Sequence, residues 1–172
     1  EWLADMDVWG LRSYEKRVPE RVFTQPSEAI ATFLRHLWSS DGCVRMREGS
    51  APYPAVYYAT SSMRLARDVQ SLLARLGINA RRKRVDQGTK GRDQHHVLVS
   101  GEDLSAFASL VGAVGRYKRS SLSKIQDYLD DRTANTNRDI IPKATWRSLV
   151  VPAMEEAGMT TREMQSGLGM SY

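Results

Sequence analysis

Cysteine is scarce in this chain: Cys43 is the one thiol in 172 residues. A lone cysteine closes no internal disulfide, so the fold must rest on its own apolar core, and a reducing, cytoplasmic compartment is expected. Long apolar runs are missing as well. None approaches the roughly 20 residues that span a bilayer, and the opening residues, acidic at Glu1, Asp5 and Asp7, do not read as a signal peptide. A soluble chain with no membrane partner is expected. His36 stands far from His95 and His96, which as strand neighbours face opposite ways, so no zinc-ligand spacing arises. No serine, cysteine or histidine arrangement suggests a catalytic triad. Gly112-Ala113-Val114-Gly115 lacks the lysine and serine of a phosphate loop and reads as a turn. An initiating methionine is also absent, as though the chain were cut from something longer.

What is present is enough apolar content, 41%, for one domain of about 100–150 residues with an appendage. The net charge of +5 is modest, but it is concentrated at Arg81-Arg82-Lys83-Arg84, at the run from Arg116 to Arg119, and at Arg45 and Arg47. Clustering of this kind favours a polyanionic partner over a merely solvated face.

The periodicity predicts an α+β fold. A short apolar helix near Trp2 leads into a charged connection, and Ser27 can cap a helix with Glu28 in its first turn. Ile30, Phe33, Leu34, Leu37 and Trp38 form one stripe of that helix, and Gly42 ends it. The next strand alternates, with Cys43, Arg45 and Arg47 on one face and Val44 and Met46 on the other. A second strand spans Ala55 to Thr60. Leu65, Val69, Leu72, Leu73 and Leu76 mark a helix opened by Ser61 or Ser62 and closed by Gly77. Ile78 to Val85 and Gln94 to Ser100 make a second hairpin, followed by a helix using Leu104, Phe107, Leu110 and Val111, and another using Leu122, Ile125, Tyr128 and Leu129. This order places helices on one face of an antiparallel sheet and leaves the other face open and basic.

Beyond a polar linker from Thr133 to Asn137, Trp146, Leu149, Val150 and Met154 define a helix that Pro152 should kink or end. Gly158 then turns the chain. Thr160 to Glu163 has capping-box spacing, and the pair of short helices is similar to a helix-turn-helix, a pattern shared by many helical hairpins.

Asp41 is the residue with the sharpest chemical meaning. A carboxylate at a helix C-terminus opposes the macrodipole, so a cation partner accounts for it better than solvation does. With Arg45 and Arg47 nearby, it can hold a divalent cation against a phosphodiester.

Phe33 to Val44, the junction Tyr58-Ala59-Thr60-Ser61-Ser62, the helix exit Leu72 to Ile78, and Lys16-Arg17-Val18-Pro19 together resemble a LAGLIDADG homing endonuclease of the kind inserted in inteins. The wording from Leu34 to Cys43 is closest to inteins of replicative DNA helicases. The resemblance implies an αββαββα unit at residues 27–132 with its four-stranded sheet as a DNA saddle, a connecting segment at 1–26, and a linker with a helical extension at 133–172. It implies double-stranded DNA as partner, Asp41 as the catalytic carboxylate, and Mg2+ held by Asp41 and Gly42. It implies a second unit, either upstream in the same protein or a homodimer mate, pairing across Leu34, His36, Leu37 and Trp38. Ser39 stands where an Asp is common, and His36 replaces a small Gly.

By alternation and similarity, Arg45, Arg47, Tyr58, Thr60, Arg82 and Arg84 are expected to face the major groove, with Arg81 and Lys83 toward the helices and Lys118 and Arg119 on phosphates. No lysine occurs around Ser100 to Asp103, where many members carry one near the metals, so no catalytic lysine is assigned. Glu1 and the Ser171-Tyr172 end offer no splicing chemistry, so an endonuclease insert without its splicing module is expected. The alternative is a catalytically silent DNA-binding module of the same fold, of transcription-regulator or RNA-maturase type.

Overall fold

The computed structural model describes residues 2–131 and 143–167. The expected linker from Thr133 to Asn137 lies outside the described residues. The chain divides into two compact units, Glu1–Ala134 and Asn135–Tyr172.

In the first unit, α1 (Trp2–Asp5) and α2 (Glu20–Phe23) precede α3 (Ser27–Asp41). Ser27 does not cap α3. Pro26 holds the N-cap position, and its carbonyl accepts from the amides of Ala29 and Ile30, both at 3.1 Å. A proline there loses nothing, because a helix start has no use for its missing N–H. Strands β1 (Gly42–Arg47) and β2 (Tyr53–Thr60) form the first hairpin. Helix α4 (Met63–Arg75) follows, and then β3 (Ala80–Val85) and β4 (Gln94–Val99) form the second. All neighbours are antiparallel in the order β1-β2-β4-β3, which leaves β1 and β3 as the two edges.

Helix α4 shows why local sequence carries this fold. The Ser62 hydroxyl accepts from the Leu65 amide at 3.1 Å, a cap worth about 1 kcal/mol. Gly77 closes the helix at φ 76°. The Ile78 amide then reaches back to Leu73 O and the Gly77 amide to Ala74 O, both at 3.0 Å, satisfying two carbonyls that would otherwise be orphaned. Leu65, Val69, Leu72 and Leu73 are buried against Val56, Val97 and Val99 of the sheet and Ile30, Leu34 and Trp38 of α3.

Helix α5 (Asp103–Ala106) runs on as one π-turn, Phe107–Val111, before α6 (Arg116–Asp130). The π-turn rotates Leu110 outward, so it is exposed while Leu104, Phe107 and Val111 are buried.

The second unit contains α7 (Lys143–Thr145), a π-turn Trp146–Val150, α8 (Val151–Glu156) and α9 (Thr161–Gly167). Pro152 does not end the helix: it falls in the first turn of α8, directly after the π-turn, where its missing N–H is tolerated. Gly158 adopts φ 61°. The Thr160 amide donates to Glu163 Oε2 at 2.7 Å and the Glu163 amide to Thr160 Oγ1 at 3.3 Å, closing the capping box. Donation from the Thr160 amide, and then from its hydroxyl at 2.7 Å, holds the Glu163 carboxyl below its ordinary range.

Among the described residues, no helix is long and apolar enough to cross a membrane.

Candidate functional site

The open sheet face is fixed by register. Directly opposed residues share a face, and the rows Cys43, Tyr57, Leu98, Arg81 and Ala59, His96, Lys83 run across the sheet. Val44, Val56, Val97 and Val99 are buried on the helix side, so these rows, together with Arg45 and Arg47, lie on the uncovered side. No strand residue is acidic. The result is a basic surface whose centre is aromatic: Tyr57 stacks on His96 with ring centroids 4.7 Å apart and planes within 7°. Arg47 lies over the Tyr53 ring at 5.5 Å. Burial, followed by Lys83, pushes the His96 imidazole below its ordinary value. Arg45 Nε is buried without an acceptor among the described residues.

Four expected readers face the wrong way. Tyr58 opposes Gly42 on the covered face, is 2% exposed, and packs on the Trp38 ring at 5.5 Å. Its neighbour Tyr57 faces outward instead. Thr60 shares the Tyr58 parity, and its hydroxyl accepts from the Ser62 amide at 3.1 Å. Arg82 opposes buried Val97, and its Nε donates to Gln70 of α4 at 2.6 Å. Arg84 has the same parity and pairs with Asp93. The outward cations of β3 are therefore Arg81 and Lys83.

The α3–β1 corner carries Asp41. It is the last residue of α3, is exposed, and forms no ion pair with a described cation. Next to it, Gly42 is buried and its amide donates to Trp38 O. A Cβ at position 42 would stand 2.4 Å from Trp38 Cδ1, so only glycine lets strand and helix meet this closely. Burial, and then the Asp41 carboxylate, push the Tyr58 phenol far up.

Asp41, Tyr58 and Thr60 line an open cleft of about 530 Å3 with Lys16, Arg92 and Gln94. Lys16 is brought there by α4. Ser62 Oγ donates to Lys16 O at 2.6 Å, and Asp68 accepts from the Val18 amide at 3.0 Å. Lys16 is the residue that sequence reasoning missed. Its signal is indirect, a lysine two residues before Val18, which is 1% exposed and anchors this segment to the core.

Two further expectations change. Leu34 and Trp38 are fully buried inside their own unit, against the sheet and α4, so of the four interface candidates only exposed His36 and partly buried Leu37 remain available to a partner helix. Lys118 is half-buried, and its ammonium donates to Trp38 O at 2.8 Å and Ser39 O at 2.9 Å. Two of its three donors are therefore spent on the end of α3. Arg119 is exposed.

Among the described residues, no group of three or more His, Cys, Asp or Glu side chains is placed to hold a metal ion. Asp41 is a single exposed carboxylate, fewer than the three ligands such a group needs.

Comparison with known proteins gives this geometry a context. Residues 28–112 match the model of the LAGLIDADG-like domain. The whole chain is 61% identical to 18% of the length of a replicative DNA helicase DnaB from Rhodothermus marinus, and 56% identical to 20% of the same enzyme from a Nostoc species. Over 79% of the chain it is 31% identical to 23% of a DNA gyrase polypeptide from Mycolicibacterium flavescens. The chain thus spans about a fifth of the length of the curated relatives it matches.

Proposed function

From membership of the LAGLIDADG-like family, carried by residues 28–112, we propose that this chain is the homing-endonuclease part of an intein and cuts both strands of a specific DNA site with the help of Mg2+. The intein context is supported by the relatives: similar segments occupy a minor share of a helicase and of a gyrase, as expected of an insert rather than of either host's own catalytic domain. The observation that carries the DNA reading is the open sheet face, where Arg45, Arg47, Arg81 and Lys83 surround an aromatic centre with no acidic strand residue. Cations of this kind bind the phosphate backbone and long polar side chains reach base edges. Residues 27–132 form the nuclease unit in this reading, 1–26 the connection from a preceding unit, and 133–172 an extension that adds helix-turn-helix contacts.

Asp41 suits magnesium as a hard oxygen donor with no ion pair among the described residues, and Gly42 keeps it at the helix tip. A bound divalent ion supplies charge neutralisation at the scissile phosphate and a more acidic water. Lys16, across the cleft, offers an ammonium to the negative charge that develops on the phosphate oxygens. One carboxylate is insufficient for double-strand hydrolysis, so a second unit brings its own beside Asp41, meeting α3 along His36 and Leu37.

The test uses a duplex spanning the insertion site of an uninterrupted helicase gene, with and without Mg2+. Wild type should cleave both strands, and Asp41→Asn should bind equally and cleave at background rate. Equal cleavage by the two proteins rejects a catalytic Asp41. The lone carboxylate also favours a second reading, a silent DNA-binding module. Full-strength binding in chelator with no nicking under any divalent metal would select it.

A further inference from the structure

Edge strand β1 and helix α6 enclose a groove away from the Asp41 cleft. The helix packs alongside the strand, and Lys124 stands 3.9 Å from Glu48, just past the end of β1. Arg45, Met46, Arg47, Glu48 and Tyr117 line the groove, which has a volume of about 450 Å3. Tyr117, in the first turn of α6, is 71% exposed, an aromatic ring held out to solvent beside two guanidinium groups. Arg45 Nε is buried and has no acceptor among the described residues. A buried donor left unpaired forfeits its hydration without return, so Arg45 is kept ready for an acceptor from outside. The inward cations of β3 differ, because Arg82 is bonded to Gln70 and Arg84 to Asp93. The first turn of α6 repeats the signal. It holds Arg116 and Arg119, both exposed, and no acidic residue. Cations at that end oppose the helix dipole, and a bound anion resolves the conflict.

We propose that the β1–α6 groove binds one phosphodiester of the duplex backbone, with Arg45 as its principal donor and Tyr117 as its outer wall, so that Arg45 fixes where the sheet sits on DNA instead of reading a base. The inference rests on the reading of the open sheet face as a DNA surface. Width decides between the two roles. Three gaps of about 4.8 Å separate β1 from β3, so the edge strands stand roughly 14 Å apart, while the major groove is about 12 Å wide. The central strands β2 and β4 therefore meet base edges, and the two edge strands fall under the phosphate chains that flank the groove. The Arg45 guanidinium presents a planar fork of donors suited to a phosphate, and the Tyr117 hydroxyl can add another. Glu48, the acid in the lining, is exposed and faces Lys124, which offsets its repulsion of an oxyanion.

The experiment compares wild type, Arg45→Met and Tyr117→Phe, as full chains, on the insertion-site duplex and on duplexes in which one phosphate at a time is replaced by a neutral methylphosphonate. Arg45→Met should weaken binding about ten-fold, the scale of one charged hydrogen bond, and lower the salt slope by about 0.9. The factor should be the same on the insertion site and on its single base-pair variants. One methylphosphonate position should weaken wild type by a similar factor and leave Arg45→Met unaffected. Tyr117→Phe should lose about three-fold on the unmodified duplex, as for a neutral hydrogen bond, and nothing further on that modified one. Because methionine keeps the apolar stem and removes the unpaired donor, the urea midpoint of Arg45→Met should stay at or above that of wild type. Lost discrimination at one base pair in Arg45→Met, a scan with no position silent in that variant, or a lowered urea midpoint overturns the proposal. If wild type binds no duplex, the DNA reading fails, and titration with inorganic phosphate, followed at the Arg45 Nε–Hε resonance, still decides the groove. A saturable shift there supports an oxyanion site, and no shift overturns it.

Discussion

The two edge strands of the sheet carry similar charge and behave differently. In β1, Arg45 and Arg47 alternate with Val44 and Met46, and the apolar pair is drawn to the core, so both cations are thrown onto the open face. In β3, Arg81, Arg82, Lys83 and Arg84 are consecutive and all exposed, with no large apolar residue among them to choose a side. There the parity is set by partners elsewhere in the chain: Val97 across the ladder and Gln70 on α4 take Arg82 to the helix side, leaving Arg81 and Lys83 outward. A strand of one charge class reports that it is a surface strand but not which way it lies.

That contrast can be broken most forcefully at β1. Val44→Lys would give β1 the uniform character of β3, but at a position 2% exposed. Stranding an unpaired ammonium there should cost more than about 4 kcal/mol, read as a collapse of the urea midpoint; a loss below about 1 kcal/mol would mean the strand can slip its register. At β3, Arg81→Ala and Lys83→Ala should each reduce the salt slope of DNA binding by about 0.9, and Arg82→Ala and Arg84→Ala should leave it unchanged. The opposite result would restore the alternation read from sequence. Arg82→Ala should instead lower folding stability by about 1 kcal/mol through the lost Gln70 bond. The smallest effect concerns His96, opposite Lys83. Its pKa lies below the ordinary histidine value, first from burial and then from Lys83. Stability from the neutral ring is therefore complete above about pH 6.5 and is lost as pH falls through the folded value. Lys83→Met should move the His96 titration upward in an NMR pH series. An unmoved midpoint would place Lys83 off that face.

Much of the framework is legible because several local signals agree. The stripe of α3, the Ser62 cap, Gly77 and the Thr160–Glu163 box each carry their own geometry. Asp41 stood out for a physical reason, an acid at the negative end of a helix. The misreadings share a different origin. Tyr57 and Tyr58 are identical side chains one position apart, and only the pairing of β2 with β1 and β4 decides which is core. Lys16 and Lys118 reach the Asp41 region from 25 and 77 positions away in sequence, through bonds to Ser62, Trp38 and Ser39 that no local period encodes. Long-range polar contacts are the part of a site that pattern reading leaves out.

The tight fit between position 42 and the Trp38 ring separates two kinds of constraint on adjacent residues. Asp41 projects into solvent and no core atom depends on it, so a lineage that abandoned DNA cutting could let it drift without architectural harm. Gly42 has no such freedom, because any larger residue would pry the first edge strand off the rod behind it. On the proposed nuclease reading, a glycine kept among descendants of this chain where its acidic neighbour has vanished would mark a retired enzyme that still needs its shape.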